Sequence, residues 1–161
     1  MLTIIFAAAL AQSGPVLWDK VEAGMSVDAV RAIYPADGKS VIHNDSNVEI
    51  EGWTVIPGCK AQVNVFHKSG VVERVLVKGD MSLGGKCSDK VSAALAGKYG
   101  QPATSESGGR GILSAGSTRT LVWSMPNGTS LTLKQTGPKA GKIGAARWTA
   151  EYTATPQAIG L

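Results

Sequence analysis

Two histidines, two cysteines and a closely spaced pair of glutamates are the residues whose types could do chemistry in this chain. Hydrolysis through a serine or cysteine nucleophile needs a base within hydrogen-bond reach, and His43 and His67 are the conventional bases. His43 falls in a polar stretch, His67 ends a strand-like run beside a turn, and no Gly-x-Ser-x-Gly motif accompanies them. Both read as surface histidines. Glu49 and Glu51 alternate onto one side of a strand-like run, roughly 7 Å apart, which is compatible with paired-carboxylate glycoside chemistry. Acidic side chains on an edge strand also block edge-to-edge association, and that reading is adopted. Residues 45–49 lack the glycine and distant glutamate of a calcium loop. Residues 137–142 are one residue short of a phosphate-binding loop and lack its hydroxyl. The chain is therefore expected not to be an enzyme and to need no metal and no cofactor.

The cysteines point to covalent structure. Residues 2–10 form an apolar run the length of a signal-peptide core, and Ala9-Leu10-Ala11 fits the small-x-small cleavage rule. Removal of residues 1–11 as a signal peptide is expected, leaving a single domain over 12–161 in a periplasmic or secreted location. The run is too short to span a bilayer, which takes roughly 20 apolar residues. In that oxidising setting Cys59 and Cys87 are expected to pair. Closing a loop of about 29 residues contributes roughly 3–4 kcal/mol by chain entropy.

Charge narrows the partners. Residues 12–57 carry a balance of −4 and residues 58–161 one of +8, within a net charge of +4. The basic residues are scattered singly, without the clustered Arg/Lys and interleaved aromatics of a nucleic-acid binder, so no nucleic acid is expected. The polarity suits charged partners on different faces, or simply a soluble surface.

The elements that must position these residues run in a doubled programme. Residues 16–21 read as a lead-in helix or turn. Ser26 caps a helix whose Val27, Val30, Ile33 and Tyr34 share one face, and Pro35 stops it. A loop over 36–47 follows, then strands at 48–56, 61–67 and 71–78, with a bulge at Gly52-Trp53 and turns at Pro57-Gly58 and Ser69-Gly70. A second helix, capped by Ser88 or Asp89, carries the stripe Val91, Leu95, Tyr99 and ends at Gly100. A Gly/Ser-rich loop over 103–117 precedes strands around Leu121, Leu131 and Trp148, with a hairpin at Asn127-Gly128. In the last strand Trp148, Ala150 and Tyr152 face one way and Arg147, Thr149 and Glu151 the other. The expected class is α+β, a tandem (αβββ)×2 with repeats over about 16–80 and 81–155 and helices packed on one face of an antiparallel sheet.

Gly24-Met25-Ser26 followed by Val30, the Tyr34-Pro35 and Tyr99-Gly100-Gln101-Pro102 endings and the hairpins resemble a superfamily of exported bacterial proteins. It contains the β-lactamase inhibitory protein and the small lipoprotein of the outer-membrane β-barrel assembly machinery. The lipoprotein's lipidated cysteine is absent and no inhibitory loop is matched, so no stable membrane anchor and no particular partner carry over. What the resemblance implies is non-enzymatic binding to an envelope or extracellular protein, inhibitor-like or as an assembly accessory. Trp53, Gln62, Asn64, Phe66, Thr132, Arg147, Thr149 and Glu151 are the contact residues expected on the free sheet face. The alternative is an envelope hydrolase or small-ligand-binding protein that uses 103–117 as a lid.

Overall fold

Valine-rich alternating runs, each closed by a glycine turn, dominate the chain and assemble into one antiparallel sheet. The computed structural model describes residues 14–79, 82–83, 86–108, 116–137 and 145–155. In chain order the elements are β1 (Val16–Trp18), β2 (Val21–Glu22), α1 (Val27–Ile33), β3 (Val41–His43), β4 (Asn47–Ile56), β5 (Cys59–Lys68) and β6 (Val71–Gly79). They continue with β7 (Ser82–Leu83), α2 (Lys86–Tyr99), β8 (Ala103–Gly108), β9 (Ser117–Ser124), β10 (Thr129–Gly137) and β11 (Ala145–Ala154). The nine-stranded sheet has the order β3-β4-β5-β6-β11-β10-β9-β8, with β7 paired to β11.

Two meanders thus meet at β6 and β11. Each meander has four strands, not three, because the stretches expected as loops at 36–47 and 103–117 contribute the outer strands β3 and β8; the two-residue β7 is a further strand between the first meander and α2. Strand outweighs helix so far that the molecule is mainly antiparallel β. The lead-in at 16–21 is a β-hairpin, with Asp19 taking a left-handed φ of 49° in its turn. The expected signal peptide at 1–11 lies outside the described residues.

Cross-strand register explains the core. Val41, Ile50, Val63, Val77, Ala150, Leu133 and Leu121 stand opposite one another in succession across seven strands. A second row runs Val48, Val65, Val75, Tyr152, Leu131, Trp123. Both rows cross the β6–β11 seam, so the two halves share one apolar interior, and each fully buried Val or Leu contributes roughly 1.5–3 kcal/mol. Val30 of α1 and Val91 of α2 complete it.

The helix ends follow local chemistry. Ser26 Oγ accepts the Ala29 N–H at 3.2 Å, as an N-cap should. Gly100, at φ +82°, donates its N–H to the Ala96 carbonyl and ends α2. The start of α2 lies earlier than expected, at Lys86, so Ser88 and Asp89 sit inside it. Ser88 is buried, and its hydroxyl and carbonyl oxygens both accept from Gln135 Nε2 at 2.8 Å. The Cys59–Cys87 disulfide joins α2 to β5, and Trp123 Nε1 donates to the Gly100 carbonyl at 2.9 Å. Covalent and polar ties therefore pin α2 at both ends.

Candidate functional site

The sheet face opposite the core carries most of the expected contact residues. Its rows again follow register: Phe66, Arg74, Thr153, Ser130 and Ser124 in one, and Gln62, Lys78, Thr149, Lys134 and Thr120 in another. Between them Asn64, Leu76, Glu151, Thr132 and Val122 form a third. Among the described residues no helix lies over this face.

Its polar groups are organised by short contacts. Gln62 Nε2 donates to Glu49 Oε1 at 2.8 Å and Glu51 Oε1 at 2.7 Å, so the paired carboxylates flank one amide rather than an open cleft. Arg74 Nη1 donates to Glu151 Oε1 at 2.8 Å, and the guanidinium carbon lies 4.3 Å from the centroid of the Phe66 ring. An aromatic, a cation and an anion from three neighbouring strands thus make one half-exposed cluster. Lys78, Lys134 and Arg147 are exposed beyond it.

Two of the expected contact residues are placed otherwise. Asn64 is on this face but 4 % exposed, its Oδ1 accepting from Asn47 Nδ2 at 2.8 Å, so it braces β4 against β5. Trp53 is on the core side: the irregular register between Ile50 and Trp53 sets it opposite buried Ala61. Its ring meets Trp18 at 4.8 Å and Tyr34 at 6.5 Å between centroids. Gln62, Phe66, Thr132, Arg147, Thr149 and Glu151 remain together on the open face. Arg74 escaped the sequence reading because a two-residue turn at Ser69-Gly70 sets Phe66 against Glu73. A bulge between Phe66 and His67 moves Arg74 into that place.

Among the described residues neither histidine is hydrogen-bonded to a serine, cysteine or carboxylate side chain. His43 Nε2 donates to the Tyr34 carbonyl at 2.8 Å, anchoring β3 beside α1. His67 is the penultimate residue of β5, its Nε2 buried without a partner among the described residues. Of the stretch expected as a loop over 103–117, residues 103–108 form β8, hydrogen-bonded to β9; residues 109–115 lie outside the described ones. Among the described residues no cluster of His, Cys, Asp and Glu could hold a metal, and no helix is long and apolar enough to cross a membrane.

The core side has an opening of its own. Between α2, the β1–β2 hairpin and the β9–β10 turn lies a cavity of about 980 Å³. All four tryptophans of the chain, Trp18, Trp53, Trp123 and Trp148, line it with Tyr99 and Tyr152. The hairpin is held there by Thr129 Oγ1, which donates to the Val16 carbonyl at 3.0 Å. Burial, with Tyr99 adding to it, pushes the Tyr152 phenol well above its ordinary value, so it stays neutral. Burial and the Asp19 carboxylate, whose Oδ2 accepts the Tyr34 hydroxyl at 2.5 Å, do the same to Tyr34. Strand alternation put Trp148 and Tyr152 on the core face and the helix stripe included Tyr99, whereas Trp53 was expected on the free face; the convergence of these rings on one cavity has no signal in sequence spacing.

Comparison with protein-family models, with curated proteins and with solved structures finds no match to this chain.

Proposed function

We propose that this chain is an exported, non-enzymatic protein-binding module, inhibitor-like or an assembly accessory, that engages an envelope or extracellular protein through the open sheet face. The carrying observation is the cluster Phe66–Arg74–Glu151, set on a broad antiparallel face with Gln62, Thr132, Thr149 and Arg147 around it. Aromatic and arginine side chains ringed by polar neighbours are the composition of interface hot spots. The Cys59–Cys87 disulfide supports an oxidising compartment, and with it a periplasmic or secreted location. The mirrored strand order about β6 and β11, with a helix ahead of each meander, supports the two halves being copies of one unit.

Photo-crosslinking in the intact envelope tests the reading. A crosslinker at Thr132 or Thr149 is expected to give a discrete adduct, lost when Phe66→Ala and Glu151→Ala are combined. One at Lys90, on the exposed side of α2, is expected to give none. Equal adducts at Lys90, or adducts indifferent to the double substitution, overturn the proposal.

A further inference from the structure

We infer that the aromatic cavity is a second, independent site, which binds a single-chain amphiphile with an anionic headgroup. At about 980 Å³ it lies within the size range of small-molecule sites, roughly 300–1,000 Å³. Its lining separates into a body and a head. Aromatic rings and the aliphatic side chains of Val55, Ile56, Val77 and Leu95 make the body. Such a wall is mostly apolar, with the Trp123 N–H given to the Gly100 carbonyl and the Trp148 N–H buried without a partner among the described residues, which suits an alkyl chain better than a sugar or peptide.

The charged side chains among the lining residues are Asp19 and Lys98. Asp19 is engaged by the Tyr34 hydroxyl. Lys98 is exposed on the last turn of α2, its ammonium 5.0 Å from the centroid of the Tyr99 ring, and it makes no ion pair among the described residues. A carboxylate, phosphate or sulfate at the end of an alkyl chain matches that arrangement: the chain among the tryptophans, the head at Lys98. Asn127, also on the lining, is turned to local structure, its Oδ1 accepting the Thr129 N–H and its amide directed at the Val16 carbonyl. The ties at both ends of α2 keep the wall in place without a ligand, so the site is preformed. It lies on the side of the sheet opposite the proposed protein-binding face, so failure of either proposal leaves the other standing.

The test uses the oxidised full-domain protein titrated with dodecanoate below its micellar concentration, followed by tryptophan fluorescence and calorimetry. Saturable one-to-one binding is expected, with decanoate, two methylenes shorter, weaker by roughly fifteenfold, since each buried methylene is worth about fourfold in affinity. Lys98→Glu is expected to weaken dodecanoate at least tenfold and to leave dodecyltrimethylammonium as tight or tighter. Ala94→Trp, at an exposed helix position on the lining, is expected to abolish binding of both while the protein remains folded by circular dichroism. No saturable binding, binding that survives Ala94→Trp, or equal affinity for the two headgroups in the wild-type protein and Lys98→Glu would each overturn the assignment.

Discussion

Gly79 closes β6 directly beneath Trp148 of the neighbouring strand. A Cβ at position 79 would lie 2.0 Å from both Cε2 and Nε1 of the indole and 2.5 Å from Cζ2. Carbon atoms pack at roughly 3.5–4.0 Å, so Gly79→Ala forces the ring to retreat by about 1.5 Å. Trp148 is 2 % exposed, and the room its ring has to retreat into is the aromatic cavity it lines, at the cost of its present contacts. Overpacking of this kind costs typically about 1–3 kcal/mol, and a ring displaced that far belongs at the upper end. For a domain of this size 1 kcal/mol shifts Tm by about 2–4 °C, so a fall of roughly 6–12 °C is expected. Gly97 supplies the control: it lies inside α2, and a Cβ there meets nothing within 4 Å. Gly97→Ala should stabilise by about 0.5–1 kcal/mol through helix propensity alone. Thermal and urea unfolding of both variants, with near-ultraviolet circular dichroism to follow the indoles, measures the contrast. A Gly79→Ala protein within 0.5 kcal/mol of wild type, or one as stable as Gly97→Ala, would refute the packing argument.

Reduction of the Cys59–Cys87 bond, or Cys59→Ser with Cys87→Ser, is expected to lower stability by roughly 3–4 kcal/mol, measured by urea unfolding with and without reductant. An unchanged midpoint would contradict it. Ultraviolet titration should find Tyr34 and Tyr152 un-ionised at pH values where a free phenol, pKa about 10, has begun to titrate. Because the fold binds those protons more tightly than the unfolded chain, their stabilisation is full below about pH 10 and declines as pH rises above it. Stability rising across that range would reverse the sign.

Much of the sheet is legible in the sequence, because alternation in β4, β5, β9, β10 and β11 is the direct imprint of a surface buried on one side. The Ser26 cap, the Gly100 stop and the α2 stripe of Val91, Leu95 and Tyr99 were legible for the same local reasons. The Asn127-Gly128 turn was found too, although it closes as a three-residue loop, with Met125 N–H donating to the Thr129 carbonyl at 2.8 Å. The β1–β2 hairpin, β3 and β8 were not. Their strands are short or polar, and their backbone groups gain partners only because a neighbouring strand presents an edge, which leaves no periodic mark on side chains. The contact surface was half legible: alternation put Gln62, Phe66, Thr132, Arg147, Thr149 and Glu151 on the open face and could not reveal that Asn64 is covered.

The order of residue types along the chain determined which side of each strand turns inward and where the turns fall. Those are consequences of chain geometry over a few residues. Tertiary structure decided what distant residues do together. The bulge that replaces Glu73 with Arg74 beside Phe66 arises from fitting two valine rows into one interior, so β6 slips until Val75 and Val77 meet Val65 and Val63. The gathering of four tryptophans from four strands around one cavity likewise depends on sheet order and on α2 being tied down at both ends, relations between segments up to 130 residues apart that no local pattern encodes.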